Sequence, residues 1–276
     1  MLGVLGDLVE DVVVWPSGPV APGTDTAAQV FRRRGGSAAN VAAHAARIAP
    51  VRFLGQVGDD DAGRALTASL ADDGVDVRVR RAGRTGTVVV LVDADGERTM
   101  LPDRGAAAEL CDPPAAWADG LTHLHLPAYS LVAEPVRGAA LAVAARVGSV
   151  SVDVASTGAV RACGVERFAA LLRELRPAHV LATLAEADLL GLPGSAPAGT
   201  VVVVKDGPRP ARVTAPGRPA VVVPVPPVGS VRDTTGAGDA FAAGYLQAVV
   251  GGAEPVEACR NGHRTARTVL TVPGAG

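Results

Sequence analysis

Aromatic residues and cysteines are scarce in this chain. Phe, Trp and Tyr together make up 3% of its 276 residues, so few rings are available to stack on a nucleobase. The three cysteines, Cys111, Cys163 and Cys259, are scattered and form no CxxC pair. This pattern excludes the disulfide framework of a small secreted domain and predicts reduced thiols in the cytoplasm.

A strong net charge and a long apolar run are also missing. The formal net charge is −2, which leaves no basic excess for binding nucleic acid or an anionic membrane surface. No uninterrupted apolar run approaches the roughly 20 residues that a membrane span requires, and no basic leader precedes the first apolar run. We therefore expect a cytoplasmic protein without nucleic-acid or membrane partners.

Short Val- and Leu-rich segments alternate along the chain with longer Ala-rich helical patterns. A hydrophobic content of 48% over 276 residues is enough for the core of one large domain. The predicted strands are Leu2–Leu5, Val51–Gln56, His123–Leu126, Val150–Val154, His179–Leu181 and Val201–Lys205. The predicted helices are Ala38–Ile48, Ala62–Asp73, Val132–Val147, Val165–Leu175, Ala237–Val250 and Val256–Leu270. Apolar strands separated by helices predict an α/β fold with a mostly parallel sheet covered on both faces.

Two extended segments interrupt this alternation. Val12–Phe31 and Thr85–Leu101 are poor in helix signals, and their valines alternate with other residues, as in a sheet that turns one face to a cleft or a partner. We expect these segments, approximately 12–31 and 85–101, to form a small β-lid on a single domain spanning 1–276. Pairing of two lids would give a homodimer.

The most informative segment is the nine-residue string DTTGAGDAF, Asp233–Phe241, which runs into a helical pattern. Gly236, Ala237 and Gly238 leave main-chain N–H groups uncovered before the helix, and the helix dipole adds positive charge there. The string therefore predicts a cradle for a phosphate. The negative charge of Asp239 should repel that phosphate. Its presence is explained if Asp239 accepts a proton from a nucleophile beside a phosphoryl group. The alternative is a carboxylate that only stabilises the helix dipole.

Two further strings carry polar residues to strand ends and helix starts. Asp11 follows the first strand, at the end of an α/β sheet where ligands bind. Gly35 and Gly36 open the first long helix and permit close approach of a ligand, while Asn40 offers a donor and an acceptor to hydroxyl groups. The alternative for Asp11 and Asn40 is turn and cap chemistry.

These strings, in this order, resemble the ribokinase-like (PfkB) carbohydrate kinase family from end to end. Four other segments contribute to the resemblance: Asp95–Thr99, His125–Leu131, Ser151–Val154 and Val204–Gly207. The resemblance implies a ribokinase-like three-layer sandwich, with a mostly parallel central sheet and a small β-lid. It also implies transfer of the γ-phosphate of ATP to a sugar hydroxyl.

The resemblance assigns a role to each matching residue of the sugar and phosphate sites. Asp239 matches the catalytic base, and its neighbours match the anion hole, which consists of Gly236, Ala237 and Gly238. The residues that match sugar-hydroxyl contacts are Asp11, Gly35, Gly36 and Asn40. We add Arg98 as a substrate contact; like the run Arg32–Arg34, it could alternatively be solvated or contact an acidic or phosphorylated substrate.

The resemblance also assigns residues to ATP and to two metal ions. The expected nucleotide contacts are Thr183, Glu186, Lys205, Gly207, Thr235 and Gly238. Glu186 matches the glutamate of an N-x-x-E motif that organises Mg²⁺, here through water, although Thr183 stands where asparagine is usual. The alternative for Glu186 is a solvated helix start. Asp233 and Thr235 match a loop that holds K⁺ in many relatives.

The acceptor is expected to be a monosaccharide or a sugar acid, phosphorylated on a primary hydroxymethyl group. Ser37 follows the paired glycines where ribokinases proper have lysine, and the serine form occurs among sugar-acid, deoxysugar and nucleoside kinases. A nucleoside kinase is the alternative, but Trp15, Phe31 and Tyr129 are the few rings expected near the cleft. A non-catalytic sugar or nucleotide sensor is a third hypothesis, which the intact Asp239 disfavours.

Overall fold

The main sheet of the fold is mostly parallel. The computed structural model describes residues 1–93, 95–229, 231 and 233–271. The strands of the main sheet are β1 (Leu2–Leu5), β4 (Val51–Val57), β5 (Asp76–Arg81), β8 (His123–Pro127), β9 (Val150–Asp153), β10 (His179–Thr183), β11 (Val201–Asp206), β12 (Arg209–Thr214) and β13 (Val221–Val223). Their order is β13-β12-β11-β10-β9-β8-β1-β4-β5. The pairs from β11 to β5 are parallel, whereas β12 and β13 pair antiparallel.

A second, smaller sheet has four strands, and we call it the lid sheet. Its strands are β2 (Val9–Pro16), β3 (Ala28–Gly35), β6 (Thr85–Val92) and β7 (Arg98–Gly105), in the order β3-β2-β6-β7. The predicted segments Val12–Phe31 and Thr85–Leu101 fall in this sheet, but the strands start earlier at Val9 and extend later, to Gly35 and Gly105. Ala94, inside the second predicted segment, lies outside the described residues.

Helices cover both faces of the main sheet. They are α1 (Ser37–Ala46), α2 (Asp61–Asp72), α3 (Val136–Ala144), α4 (Thr157–Cys163), α5 (Val165–Leu175), α6 (Leu184–Leu190), α7 (Ala237–Val250) and α8 (Pro255–Val269). One apolar core joins the sheet to α1, α2, α7 and α8, and a second core joins it to α3, α4, α5 and α6. The result is a three-layer α/β/α arrangement. None of the helices within the described ranges is long and apolar enough to cross a membrane.

Close packing between α7 and α8 fixes the helix that begins within the Asp233–Phe241 string. A Cβ on Gly244 would lie 2.1 Å from Thr265 Oγ1, and a Cβ on Gly262 would lie 2.8 Å from the ring of Phe241. Each contact is shorter than van der Waals packing permits, so glycine at both positions lets the two backbones approach. The start of α7 is therefore held at the carboxyl ends of the parallel strands.

We propose that the outer face of the lid sheet joins two copies of the chain. Residues directly opposite each other in a sheet share a face, so Val14, Val30 and Leu91 lie together on the side away from Asp11. Leu101 lies on the same outer side, opposite Val89. Val30 is 56% exposed and Leu101 is 53% exposed, which leaves apolar surface for a second copy to cover.

Light scattering over a concentration series tests this dimer. Val30→Glu should shift the chain towards monomer, because a carboxylate would be buried without a partner in the interface. Val222→Glu is the matched control, since Val222 is 60% exposed on β13, at the far edge of the main sheet. A chain that is monomeric at every concentration, or a dimer unaffected by Val30→Glu, would contradict the proposal.

Candidate active site

A cleft of about 840 Å³ lies between the lid sheet and the carboxyl ends of the parallel strands. Ligands of open α/β sheets bind in this position, because strand-end loops and helix N-termini converge there. The predicted site residues that line the cleft are Asp11, Gly36, Asn40, Thr183, Glu186, Lys205, Thr235, Gly236, Gly238 and Asp239. The fold thus brings together residues from both ends of the chain.

The Asp239 carboxylate, in the first turn of α7, is held by two donors from α1. Ser37 Oγ donates to Oδ1 at 2.7 Å, and Asn40 Nδ2 donates to Oδ2 at 3.0 Å. Burial raises the pKa of Asp239 to about 7, although these two hydrogen bonds favour the ionised form and oppose the shift. A carboxylate with this pKa can accept a proton near neutral pH.

The start of α1 is placed by its paired glycines. Gly36 has φ of 102°, and a Cβ there would lie 2.4 Å from the main-chain oxygen of Asp7. Gly35 is packed so closely that a Cβ would overlap the carboxylate of Asp11 at 2.1 Å. Gly35 does not line the cleft itself; it leaves room for the Asp11 side chain, which does.

The free main-chain donors of the Asp233–Phe241 string come from the first turn of α7. Gly236 has φ of 72°, a left-handed conformation that glycine adopts without strain. The N–H of Ala237 donates to the Thr234 carbonyl at 3.2 Å, so Ala237 is engaged and does not line the cleft. The N–H groups of Gly238 and Asp239 lack an intrahelical acceptor by their position in the first turn. They are the donors that an anion would meet.

A buried ion pair lies on the other side of Gly238. Lys205 Nζ donates to Asp153 Oδ2 at 2.8 Å, and Nζ is 3.9 Å from where a Cβ on Gly238 would sit. Burial alone would lower the pKa of Lys205, but the carboxylates of Asp153, Glu186 and Asp239 raise it above its usual value. Lys205 therefore stays cationic in the cleft.

Thr183 and Glu186 form a capping box at the start of α6. Thr183 N–H donates to Glu186 Oε2 at 2.7 Å, and Glu186 N–H donates to Thr183 Oγ1 at 3.4 Å. Burial raises the pKa of Glu186, against the opposing effect of the bond from Thr183 N–H. Threonine in place of the usual asparagine thus serves to cap the helix and to fix the Glu186 carboxylate.

The lid side of the cleft holds a second set of carboxylates. Burial and the nearby charge of Asp7 raise the pKa of Asp11 to about 6. Asp7 pairs with Arg104 at 2.5 Å and accepts from the Ala38 N–H at 3.2 Å. The Arg104 guanidinium also stacks over the ring of Tyr129, 3.8 Å from its centroid. Carboxylates that accept hydrogen bonds here suit a ligand rich in hydroxyl groups.

Three other predicted residues lie outside the cleft. Gly207 is exposed, beyond the end of β11, and does not line the cleft, so its contact with the nucleotide stays a prediction. Arg98 and Asp233 face each other through two contacts, Nη1 to Oδ1 at 2.7 Å and Nη2 to Oδ2 at 2.8 Å. This ion pair joins the lid sheet to the loop before α7. The Arg98–Asp233 pair lines a neighbouring cavity and not the cleft.

Three residues of the site were missed as contributors by the sequence analysis. Ser37 was read only as a mark of substrate class, yet it holds Asp239. Asp153 is the residue before the last of the predicted strand Val150–Val154, inside one of the motifs, and this position near a strand end was the signal that could have found it. Arg104, three residues beyond the predicted lid segment, had only the same two alternatives as Arg98, solvated or in contact with an acidic substrate, and its contact with Asp7 spans 97 residues of sequence.

The fold and the site together define a class of protein. A carboxylate and free main-chain donors share the start of one helix, with a cation beside them and further carboxylates on the opposite side of the cleft. This arrangement belongs to phosphotransferases that act on an alcohol. Among the residues that the structure describes, no group of three His, Cys, Asp or Glu side chains is placed to hold a metal ion by itself.

Comparison with known proteins identifies the family to which this phosphotransferase belongs. The sequence matches the pfkB family carbohydrate kinases over residues 2–276. It is 34% identical over 266 residues to a fructokinase from Klebsiella pneumoniae, covering 88% of this chain and 82% of that protein. It is 36% identical over 239 residues to an ATP-dependent ribose-1-phosphate kinase from Halopiger xanaduensis, covering 82% and 77%. The structure of a ribokinase from Cryptococcus neoformans in complex with ADP aligns with a TM-score of 0.81 at 20% identity, covering 99% of this chain and 94% of that one.

The chain therefore belongs to the pfkB family of carbohydrate kinases, and it is a phosphotransferase with an alcohol group as acceptor. Its fold is the ribokinase-like α/β fold, which confirms the predicted sandwich and central sheet. The two relatives are named for different sugars, one neutral and one phosphorylated. Family membership thus identifies the reaction class and leaves the acceptor open.

Removal of the Ser37 hydroxyl should change the pH dependence of this kinase. Ser37→Ala deletes a donor that favours ionised Asp239, so the pKa of Asp239 should rise above about 7. The acid limb of kcat/KM, along which activity increases with pH, should then move to higher pH. Ser156→Ala is the control, because Ser156 also lines the cleft but accepts from the Ala159 N–H. An acid limb that stays in place in Ser37→Ala would contradict the link between Ser37 and Asp239.

Proposed function

We propose that this chain transfers the γ-phosphate of ATP to a primary hydroxyl group of a monosaccharide or a sugar acid. The position of Asp239 carries the proposal. Its carboxylate stands at the N-terminus of α7, with sugar-side donors Ser37 and Asn40 on one flank and Lys205 beyond Gly238 on the other. A hydroxyl placed at Asp239 therefore lies next to the site where a phosphoryl group would bind.

Asp239 acts in this proposal as the proton acceptor. The acceptor oxygen attacks phosphorus, its proton passes to Asp239, the new O–P bond forms, and the bond from the γ-phosphorus to the bridging oxygen of ADP breaks. A carboxylate is too weak a base to ionise an alcohol beforehand, so proton transfer accompanies phosphoryl transfer. The raised pKa of Asp239, about 7, brings it closer to this task than an ordinary carboxylate.

The chain supplies positive potential where charge develops on the phosphoryl oxygens. The N–H groups of Gly238 and Asp239 and the dipole of α7 point at this position, and Lys205 lies beside it. Asp153 holds Lys205 in place at 2.8 Å. Lys205 is therefore a positively charged contact for the β- and γ-phosphates, a role that its expected place on the nucleotide side already suggested.

The residues on the nucleotide side also fit Mg²⁺. Glu186 and Asp153 both bring carboxylates to the cleft, and Glu186 keeps one oxygen free of the capping box. Burial penalises the ionised form of Glu186, so a nearby cation, reached through water, would stabilise it. Bound Mg²⁺ would neutralise charge on the transferred phosphoryl group.

Asp11, Gly36 and Asn40 are proposed to hold the sugar. A nucleoside acceptor is less well supported, because Tyr129 is the one aromatic ring among the described residues that line the cleft, and Arg104 covers its face. A non-catalytic sensor would not need a carboxylate of raised pKa at the start of α7. The intact geometry around Asp239 therefore favours catalysis.

Replacement of Asp239 by Asn tests the proposed chemistry. Asp239→Asn keeps the size of the side chain but removes the proton acceptor, so turnover should fall by at least about a hundredfold. ATP affinity should persist or improve, because a negative charge leaves the phosphate site. The measurement is ADP formation over a panel of pentoses, hexoses, sugar acids and nucleosides, together with ATP binding by calorimetry.

Asp188→Asn provides a matched control for this test. Asp188 lies on α6 and does not line the cleft, so this variant should retain the activity of the unaltered chain. Near-normal turnover by Asp239→Asn on the best acceptor would remove Asp239 from the mechanism. Turnover of nucleosides alone would replace the sugar by the alternative acceptor.

We propose K⁺ as an activator bound by oxygens of the Asp233–Thr235 loop. Asp233 Oδ1 accepts from the Thr235 N–H at 2.8 Å, so the Asp233 carboxylate closes a turn in this loop. Arg98 pairs with both carboxylate oxygens of Asp233 and thereby compensates its charge. Arg98 and a monovalent cation would therefore stabilise the same loop.

The cation response should depend on Arg98. K⁺ should raise kcat above its value in Na⁺, and Arg98→Gln should increase that ratio, because Asp233 then lacks the guanidinium. Arg84→Gln is the control, since Arg84 makes a comparable ion pair with Asp103 at the exposed base of the lid sheet. Equal rates in K⁺, Na⁺ and a bulky organic cation, with and without Arg98, would refute the cation site.

A further inference from the structure

A second cavity of about 340 Å³ lies under the lid sheet, beside the catalytic cleft. The two cavities share three lining residues, Asp11, Met100 and Thr235. Alternate residues of one strand face the same side, and β2 supplies Asp11 to both cavities and then Val13 and Trp15 to the second. One face of the lid sheet therefore covers both spaces. A ligand that contacts Asp11 in the cleft borders the second cavity.

Guanidinium groups outnumber carboxylates by one in the lining of this second cavity. Its charged lining consists of four arginines and three carboxylates: Arg33, Arg34, Arg47, Arg98, Asp11, Asp73 and Asp233. Two of the arginines are held by ion pairs, Arg34 with Asp73 at 2.6 Å and Arg98 with Asp233 at 2.7 Å. These pairs fix the guanidinium planes in the wall of the cavity.

Arg34 has donor capacity left after its ion pair. Its Nη1 donates to Ser69 Oγ at 3.1 Å and its Nη2 faces Asp73, while the buried Nε has no hydrogen-bond partner among the described residues. A buried donor without an acceptor costs free energy. An acceptor oxygen reaching Arg34 from the cavity would remove that cost.

Arg47 supplies an exposed positive charge to the cavity. It follows α1 as the C-cap residue, and its side chain is exposed. Within the part of the chain that the structure describes, its guanidinium makes no hydrogen bond or ion pair, unlike those of Arg34 and Arg98. All five of its donors are available to a ligand.

We propose that this cavity binds an anionic group, a carboxylate or a phosphate, carried by the acceptor away from the hydroxyl that faces Asp239. Arginine suits this task because its planar fork matches both anions with paired hydrogen bonds. Trp15, Val90 and Met100 line the same space and would limit water around the ion pair. The inference rests on the proposed function, and it narrows the acceptor to a sugar acid or a sugar phosphate.

Matched substrates test this assignment. The kcat/KM of the full chain is measured by ADP release for three acceptors: a neutral sugar, the aldonic acid with the same carbon skeleton, and the monophosphate of that sugar. Arg47→Gln should lower kcat/KM for the anionic acceptor by about tenfold or more, as expected for a lost charged hydrogen bond, and leave the neutral sugar within about twofold. Arg47→Lys should fall between, since it keeps the charge without the fork. If kcat/KM falls more for the aldonic acid, the cavity binds a carboxylate; if it falls more for the monophosphate, the cavity binds a phosphate.

Arg32→Gln is the matched control for the loss of charge. Arg32 precedes Arg33 on the same strand and pairs with Glu10, and it does not line the cavity. It should leave all three kcat/KM values unchanged. Equal losses in Arg32→Gln and Arg47→Gln, or no loss in Arg47→Gln, would overturn the anion site.

A binding measurement separates this inference from the proposed function. Trp15 lines the second cavity, and Trp117→Phe leaves it as the one tryptophan of the chain. Titration with inorganic phosphate should change Trp15 fluorescence saturably, and Arg47→Gln should raise the apparent Kd by about tenfold. If no sugar in the panel is phosphorylated, the proposed function fails while this titration still decides the cavity. A Trp15 signal that phosphate does not alter, or that is indifferent to Arg47, would refute the site.

Discussion

The active site depends on keeping one charged carboxylate, that of Asp239, inside the protein. Burial raises its pKa in the folded state from 3.8 to about 7, so the native chain binds this proton more tightly than the unfolded chain. The contribution of Asp239 to folding stability therefore decreases as the pH rises through that interval. Ser37 and Asn40 reduce the free-energy penalty of burying this charge by donating hydrogen bonds to it, and the Asp239 carboxylate in turn helps to raise the pKa of Lys205. The pairs Asp153–Lys205 and Thr183–Glu186 hold the nucleotide side around the same centre.

Much of the fold could be predicted because its central strands are buried on both faces. Their continuous Val- and Leu-rich runs are a strong signal, and the six predicted strands all appear in the main sheet. β5 was missed since Asp76–Arg81 alternates valine with arginine at the sheet edge and carries no apolar run. α4 and α6 were missed because seven residues are too few for a clear helical period. The capping box of α6 was visible in the sequence, but it was interpreted as a ligand motif.

The site was predictable where one short string combines a glycine with a functional side chain. Asp239, Asn40 and Asp11 satisfy that condition, and the fold brings them to one cleft. The contacts that organise them are not local: Arg98 reaches Asp233 across 135 residues, and Lys205 reaches Asp153 across 52. No periodicity or spacing encodes such partners, because they depend on which strands become neighbours in the sheet. The arginine-lined cavity is hidden for the same reason, since Arg34, Arg47 and Arg98 belong to three different elements.

The hydrogen bond between Ser37 and Asp239 also determines when the site can form during folding and synthesis. It joins residues 202 positions apart, and Gln247 on the same last helices donates to the Ala45 carbonyl at a similar separation. Contacts of this range form only after a long loop has closed, which makes them late and slow to assemble. During synthesis Ser37 and Asn40 leave the ribosome first, while Asp239, the proposed proton acceptor, emerges near the end. On that proposal the growing chain has no competent centre for most of its translation, and a truncation before α7 would remove the reaction.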